Sequence, residues 1–276
     1  MGSADTAADP SPSELDGLRA LAEELARHAG TLALAGRRGA SGALAHVTKS
    51  TPTDPVTEFD QAAERLIVEA LRERRPDDTI VGEEGGGHTG TSGLAWHLDP
   101  IDGTVNYVYG LAPWATSIGV VGADGVGLAG AVYVPAVDEM FSAARGRGAT
   151  LNGEPIHCSA PTELATSLLG TGFSYSPAVR AAQAARVAAL VPLVRDIRRF
   201  GSAAIDLCSV ACGRLDAYYE EFLNSWDLAA GLVVCTEAGA AASDFAGGPA
   251  HPAEVVVAAP AIHAELLAAL AAAPIA

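Results

Sequence analysis

At 276 residues, with 49% hydrophobic and 18% charged side chains, the chain is built for one large folded domain or two packed subdomains and not for disorder. Its formal net charge of −16 repels nucleic-acid backbones and anionic membranes, so any phosphate must be met by local cations and N–H groups. No run reaches the ~18 consecutive apolar residues of a membrane span, and no basic-then-apolar leader opens the chain. Cys158, Cys208, Cys212 and Cys235 lack zinc-ligand spacing and read as reduced, mostly buried thiols of a cytoplasmic protein.

Residues 1–12 mix Ala, Asp, Ser and Pro and read as a flexible tail. Ser13 is the first capping candidate, for a helix from Glu14 with Leu15, Leu18, Leu21, Leu25 and Leu32 along one face. Gly36-Arg37-Arg38-Gly39-Ala40-Ser41-Gly42 then reads as a break and a mobile loop over 36–46. Thr57 with Asp60 three residues on is a capping box, opening a helix to about Arg75 that turns Ala63, Leu66, Ile67, Ala70 and Leu71 inward. Taken alone, Asp60 is a first-turn acid that complements the helix dipole.

Thr79–Gly82 is a short buried strand ending at Glu83 and Glu84, ahead of a Gly/Thr/Ser loop to Gly93. In the next strand Trp96 and Leu98 alternate with His97, and Pro100 stops the ladder because it has no N–H. Asp99 and Asp102, three residues apart across that proline, can face one centre together with the Ile101 carbonyl, and three hard oxygens suit Mg²⁺. Gly103 and Thr104 open a short helix whose free N–H groups favour an anion. By itself the segment is equally an ordinary Asp/Pro/Gly turn. Sequential strands are usually neighbours, so Glu83 or Glu84 can join the Asp99/Asp102 pair.

Residues 115–144 read as an antiparallel meander of short apolar runs with regular turns, and 146–153 as a further turn region. The boundary between subdomains 13–154 and 155–276 falls near Pro155. Strands over 168–172, 194–198, 217–220 and 255–259 alternate with helices over 177–192, 203–211, 228–238 and from Ala261. The 228–238 helix is apolar all round and should end at Gly239 in the left-handed C′ conformation. Cys208 to Arg214 fits the C-x5-R spacing of cysteine phosphatases, but the run lies in an apolar helical pattern, where a reactive thiolate has no place. The aspartyl-phosphate route needs D-x-D, and Asp99 and Asp102 are one residue too far apart.

Three motifs remain: Lys49…Pro52…Asp54…Val56-Thr57…Asp60; Gly82-Glu83-Glu84 with Asp99-Pro100-Ile101-Asp102-Gly103-Thr104-Val105-Asn106-Tyr107; and Trp226-Asp227-Leu228-Ala229-Ala230-Gly231 with Glu237-Ala238-Gly239. In order and spacing they resemble the inositol monophosphatase family over nearly the whole chain from about Leu15. The resemblance implies an α+β (mixed α/β) layered αβαβα sandwich of the inositol monophosphatase/fructose-bisphosphatase type, usually a homodimer. It also implies Mg²⁺-dependent hydrolysis of phosphate monoesters by activated water, with lithium sensitivity.

Carried over by position, Glu83, Asp99 and the Ile101 carbonyl would bind a first metal and Asp99, Asp102 and Asp227 a second, with a weaker third ion at Glu83. Gly103 and Thr104 would hold the phosphate, and the Thr104 hydroxyl with Asp60 would orient and deprotonate the water. Gly201, Ser202, Ala203 and Glu220 match positions that contact the sugar or cyclitol, and Lys49, Glu84 and Asn224 are accessory candidates. Two cations flanking an in-line displacement suit a reaction whose catalysis is dominated by charge stabilisation.

Asn224 stands where several inositol phosphatases have His, and Tyr107 where Phe is commoner. The Asn106-Tyr107 context favours inositol 1-phosphate as substrate over histidinol phosphate, another sugar or cyclitol phosphate, or a bisphosphonucleotide. The rival class is a non-catalytic regulatory or binding protein on the same scaffold. Against it, every matched metal and water-activating position keeps its chemistry.

Overall fold

The computed structural model describes residues 10–40, 42, 44–49 and 54–273. The expected tail over 1–9, Ser41 and Ala43 of the expected loop, and Pro52 of the first motif lie outside the described residues.

Helix α1 (Pro12–Gly39) begins two residues before the expected Glu14. Ser11, not Ser13, is its cap: the Ser11 hydroxyl accepts the Glu14 N–H at 3.3 Å while the Glu14 carboxylate accepts the Ser11 N–H at 2.8 Å. Pro12 then fills a first-turn position where no N–H is needed. The helix also runs through the expected break to Gly39. A Cβ on Gly36 would lie 2.2 Å from the Phe59 ring, so this glycine serves a close approach between helices and not a stop.

A ribbon of β1 (Val47–Thr48) and β2 (Pro55–Val56) leads into α2 (Glu58–Arg74), which has the Thr57/Asp60 capping box at its start. Strand β3 (Thr79–Gly82) pairs in parallel with β4 (Ala95–Asp102), and α3 (Thr104–Tyr109) follows directly. Then β5 (Ala115–Val121), β6 (Gly127–Val134) and β7 (Glu139–Ala144) form the meander. The expected turn region also holds a hairpin, β8 (Ala149–Leu151) and β9 (Glu154–Ile156), completing a seven-stranded sheet in chain order. Strands of three residues are too short to show a period-2 pattern.

The second half runs β10 (Leu168–Thr171), α4 (Pro177–Leu190), β11 (Asp196–Arg198), α5 (Ala203–Ala211), β12 (Ala217–Glu221), α6 (Ser225–Glu237), β13 (Ala241–Ser243), β14 (Glu254–Ala258) and α7 (Pro260–Ala272). Its mixed five-stranded sheet has the order β11-β10-β12-β14-β13. Helix α6 starts at Ser225, three residues before the apolar run that marks it in the sequence, which puts Asp227 in its first turn. Gly239 follows it at φ +90°.

These elements stack as five layers, helix, sheet, helix, sheet, helix. Helices α1 and α2 cover the outer face of the first sheet, where Leu18, Leu21, Leu25, Ile67 and Leu71 pack on Trp96, Leu98 and Ile118. Each such buried aliphatic side chain contributes roughly 2 kcal/mol. Helices α5 and α6 fill the space between the sheets, and α7 closes the far side against Leu169, Tyr219 and Val256. Gly119 and Gly130 let α6 lie directly on the first sheet: a Cβ on Gly119 would be 2.6 Å from the Ala230 nitrogen, and one on Gly130 2.7 Å from the Ala230 Cα. That seat fixes where Asp227 projects. No helix among the described residues is long and apolar enough to cross a membrane.

Candidate active site

The parallel β3/β4 register pairs Gly82 with Leu98, so Glu83 leaves its strand beside Asp99. An irregularity in the β4/β5 ladder between Asp99 and Asp102 turns the strand as it ends. Asp99 Oδ1 accepts the Ile101 N–H at 3.0 Å, and the Thr116 hydroxyl holds the Pro100 carbonyl at 2.8 Å. Asp102 is fixed from the other half of the molecule, its Oδ2 accepting the Ser202 hydroxyl and the Ala204 N–H, both at 2.6 Å. Asp227 arrives on α6, with Oδ2 accepting the Asn224 N–H at 2.6 Å. Asp99, Asp102 and Asp227 each bring a carboxylate oxygen within 4.8 Å of the others.

The three acids repel one another across this short distance. Burial, then the Glu83, Asp102 and Asp227 charges, push the Asp99 carboxyl well above its ordinary range. Burial and Asp102 do the same to Asp227. Asp102 rises to about 6 by burial, against the lowering bonds from Ser202 and Ala204. Glu83 stands outside the tight trio. Its Oε1 accepts the Lys49 ammonium at 2.9 Å, whereas its Oε2 is buried with no partner. An orphaned carboxylate oxygen beside three mutually repelling acids is a donor set that fits a hard divalent cation. Lys49 also pairs with Glu84, whose carboxyl burial raises to about 7.

Asp60 is fully buried in the first turn of α2, where Oδ2 accepts the Thr57 N–H at 2.8 Å and the Thr57 hydroxyl at 2.5 Å. Its Oδ1 faces the Thr104 hydroxyl at 3.3 Å, and that hydroxyl also lies 3.0 Å from the Ile101 carbonyl. Burial raises the Asp60 carboxyl to about 6 despite the Thr57 bonds. Asp60 therefore reaches the cleft only through Thr104. Gly103 turns the chain into α3 at φ +93°, a conformation costly for a side chain. Tyr107, buried with its hydroxyl on the Ala33 carbonyl at 2.8 Å, stacks edge-on against Trp114 behind the turn.

The cleft in front of these groups has a volume of about 370 Å³. Glu83, Asp99, Ile101, Asp102, Gly103 and Thr104 line it on one side, and Asp227 closes that group from α6. Gly201, Ser202, Ala203, Glu220 and Asn224 line it on the side of the second sheet. The structure thus gathers the sequence candidates at one cleft, with Asp60 behind Thr104 and with Lys49 and Glu84 tied to Glu83 at its edge.

Sequence reasoning missed Glu64, whose carboxylate accepts the Glu84 and Gly86 N–H groups at 2.7 Å each. It also missed Asp206, Arg199 and Phe222 on the cleft wall. Glu64 and Asp206 sit inside helical windows, where an acid gives no signal. Cys208 is fully buried, and burial pushes its thiol well up, as the core-helix reading requires.

The model of the inositol monophosphatase family matches residues 14–274. The inositol-1-monophosphatase of Mycobacterium leprae is 48% identical over 271 residues, 92% of this chain and 93% of that protein. The solved structure of Mycobacterium tuberculosis SuhB superposes with a TM-score of 0.80 at 45% identity, covering 95% of this chain and 98% of that one. A protein of Pasteurella multocida named Nus factor SuhB is 40% identical over 224 residues, 80% of this chain and 84% of that protein.

Proposed function

The chain belongs to the inositol monophosphatase family and is a phosphoric monoester hydrolase, and from that premise we propose that it converts myo-inositol 1-phosphate to inositol and phosphate with Mg²⁺. The observation that carries the reading is the Asp99/Asp102/Asp227 trio, with the orphaned Glu83 Oε2 beside it, opening on a cleft of small-molecule size. Glu83, Asp99, Asp102, Asp227 and the Ile101 carbonyl would hold two to three Mg²⁺ ions, which supply Lewis acidity and lower the pKa of water.

The chain's own groups do the rest. The Thr104 hydroxyl has one proton and two acceptors, Asp60 Oδ1 and the Ile101 carbonyl. By donating to Asp60 it is free to accept a proton from the attacking water while Asp60 takes up its own. A carboxyl at about 6 is ionised at neutral pH yet basic enough for that task. Gly103 and Thr104 N–H groups would receive the phosphate, and Ser202 keeps Asp102 ionised and oriented. Gly201, Ala203 and Glu220 would meet the leaving cyclitol, with Asn224 at its edge. A homodimer, lithium inhibition and a cytoplasmic location belong to the same reading.

Phosphate release from myo-inositol 1-phosphate in the presence of Mg²⁺, abolished by EDTA and by Asp99→Asn and restored by added Mg²⁺, tests it. A rate indifferent to EDTA overturns the metal mechanism. A second reading, a regulatory protein on this scaffold, is favoured only by the relatives named Nus factor. Turnover at enzymatic rates decides against that role as the sole function.

A further inference from the structure

In β4, Trp96 and Leu98 pack with the outer helices, so the alternate residues His97 and Asp99 face the layer that holds α6. The β4/β5 ladder sets Gly119 opposite His97 and Ser117 opposite Asp99. Directly opposed residues share a face, and on this one a Cβ on Gly119 would lie 2.5 Å from the Ala229 Cβ of α6. Two polar side chains beside Asp99 reach the first turn of that helix. His97 Nδ1 and Ser225 Oγ are hydrogen-bonded to each other at 2.9 Å, and the Ser117 hydroxyl reaches the Trp226 carbonyl at a longer 3.5 Å. Ser225 is the first residue of α6 and Asp227 the third. The short bond and the Asp227 carboxylate therefore share one helical turn, while the other end of that bond lies two residues from Asp99 on the same strand face. An apolar side chain could fill the space between sheet and helix, but only a hydrogen-bonding one fixes the distance and angle between them.

We propose that His97 is a positioning residue: through Ser225 it sets where α6 presents Asp227 to Asp99, and thereby the affinity of the cation site they share. The inference rests on the metal reading above and names the contact that keeps two of its carboxylates, from separate elements, in register. Outer contacts that orient metal ligands are worth roughly 10- to 100-fold in affinity. This one acts on the helix and not on the carboxylate itself, so the low end applies.

The test measures Mg²⁺ binding to metal-free protein by calorimetry, with no substrate present, in wild type, His97→Val, Ser225→Ala and the double variant. Each single variant should bind Mg²⁺ roughly 10-fold more weakly. The double variant should bind no more weakly than either, because the same bond is lost in all three. Ser225→Thr, which keeps the hydroxyl, should bind more tightly than Ser225→Ala. Added Mg²⁺ should restore phosphate release from myo-inositol 1-phosphate, so that the loss appears in the Mg²⁺ requirement and not in kcat. Unchanged affinity in either folded single variant, additive losses in the double, a Thr variant as weak as the Ala one, or a rate that no Mg²⁺ concentration restores overturns this inference alone. If His97→Val does not fold, the two Ser225 variants decide by themselves. Wild-type protein that binds Mg²⁺ and releases no phosphate sinks the hydrolase reading and leaves this contact standing; wild-type protein that binds no Mg²⁺ sinks both.

Discussion

Glu64 offers the sharpest test of how the site is held. It is 3% exposed in α2, and both its oxygens are used, Oε2 by the Glu84 N–H and Oε1 by the Gly86 N–H, at 2.7 Å each. The clamp fixes the segment that carries Glu83. It also explains two glycines, since a Cβ on Gly82 would sit 2.5 Å, and one on Gly86 2.8 Å, from the Glu64 carboxylate. In Glu64→Gln the amide presents its oxygen to one N–H and its NH₂ to the other. One charge-assisted bond becomes neutral and one buried N–H loses its partner, together about 3 kcal/mol. For a chain of this length the unfolding entropy is about 0.6 kcal/mol/K, so the melting temperature should fall roughly 5 °C. Because Glu83 is released with the segment, the Mg²⁺ concentration for half-maximal activity should rise several-fold. Thermal melts read the first effect and a Mg²⁺ titration of phosphate release reads the second. A melting point within about 1 °C of wild type, with an unchanged Mg²⁺ dependence, would refute the clamp.

Phe222 sits at φ +64° with 60% of its surface exposed, so left-handed strain of about 1–2 kcal/mol is not repaid by burial. Phe222→Gly should be about 0.5 kcal/mol more stable than wild type after glycine's entropy cost, and more stable than Phe222→Ala, by denaturant midpoints. Cys208→Ala should keep kcat within about twofold, and a loss of tenfold or more would revive the cysteine route. In metal-free protein, burial raises Asp60 to about 6 and Glu220 to about 7. A carboxyl whose folded pKa exceeds its unfolded one contributes stability that is complete below about pH 4 and is lost as pH rises through 6 to 7. EDTA-treated protein should therefore melt lower at pH 8 than at pH 5.5, and Mg²⁺ should raise the melting point more at pH 8. Equal melting points at the two pH values would contradict this.

Much of the fold is legible because its signals are local and repeated. The leucine stripe of α1, the Thr57/Asp60 box and the meander each carry a period or a cap that needs no tertiary knowledge. The errors share one cause. Gly36 reads as a breaker because a sequence shows the missing side chain and not the Phe59 ring that fills its place. Ser13 reads as the cap because it directly precedes Glu14, whereas the reciprocal bonds that make Ser11 the cap exist only in the folded helix. Glu237, quoted as part of a motif, accepts the N–H groups of Gly146, Arg147 and Gly148 and pins a turn of the first sheet. Its place in the motif is structural.

The site divides along a different line. Asp99, Ile101 and Asp102 lie in one turn, so elementary rules reach them, and strand adjacency narrows the next acid to Glu83 or Glu84, of which the resemblance selects Glu83. Asp227 does not follow from any local rule; its position depends on α6 resting on Gly119 and Gly130, a contact between residues about 100 positions apart. Only the resemblance brought it in. Asp206 escaped both routes, standing between Ile205 and Leu207 in a run so apolar that it served to dismiss Cys208. In a buried helix the cysteine is a packing residue, because a thiol tolerates an apolar environment. The same environment is expensive for a carboxylate, and burial, then the Glu220 and Asp102 charges, pushes the Asp206 carboxyl well above its ordinary range.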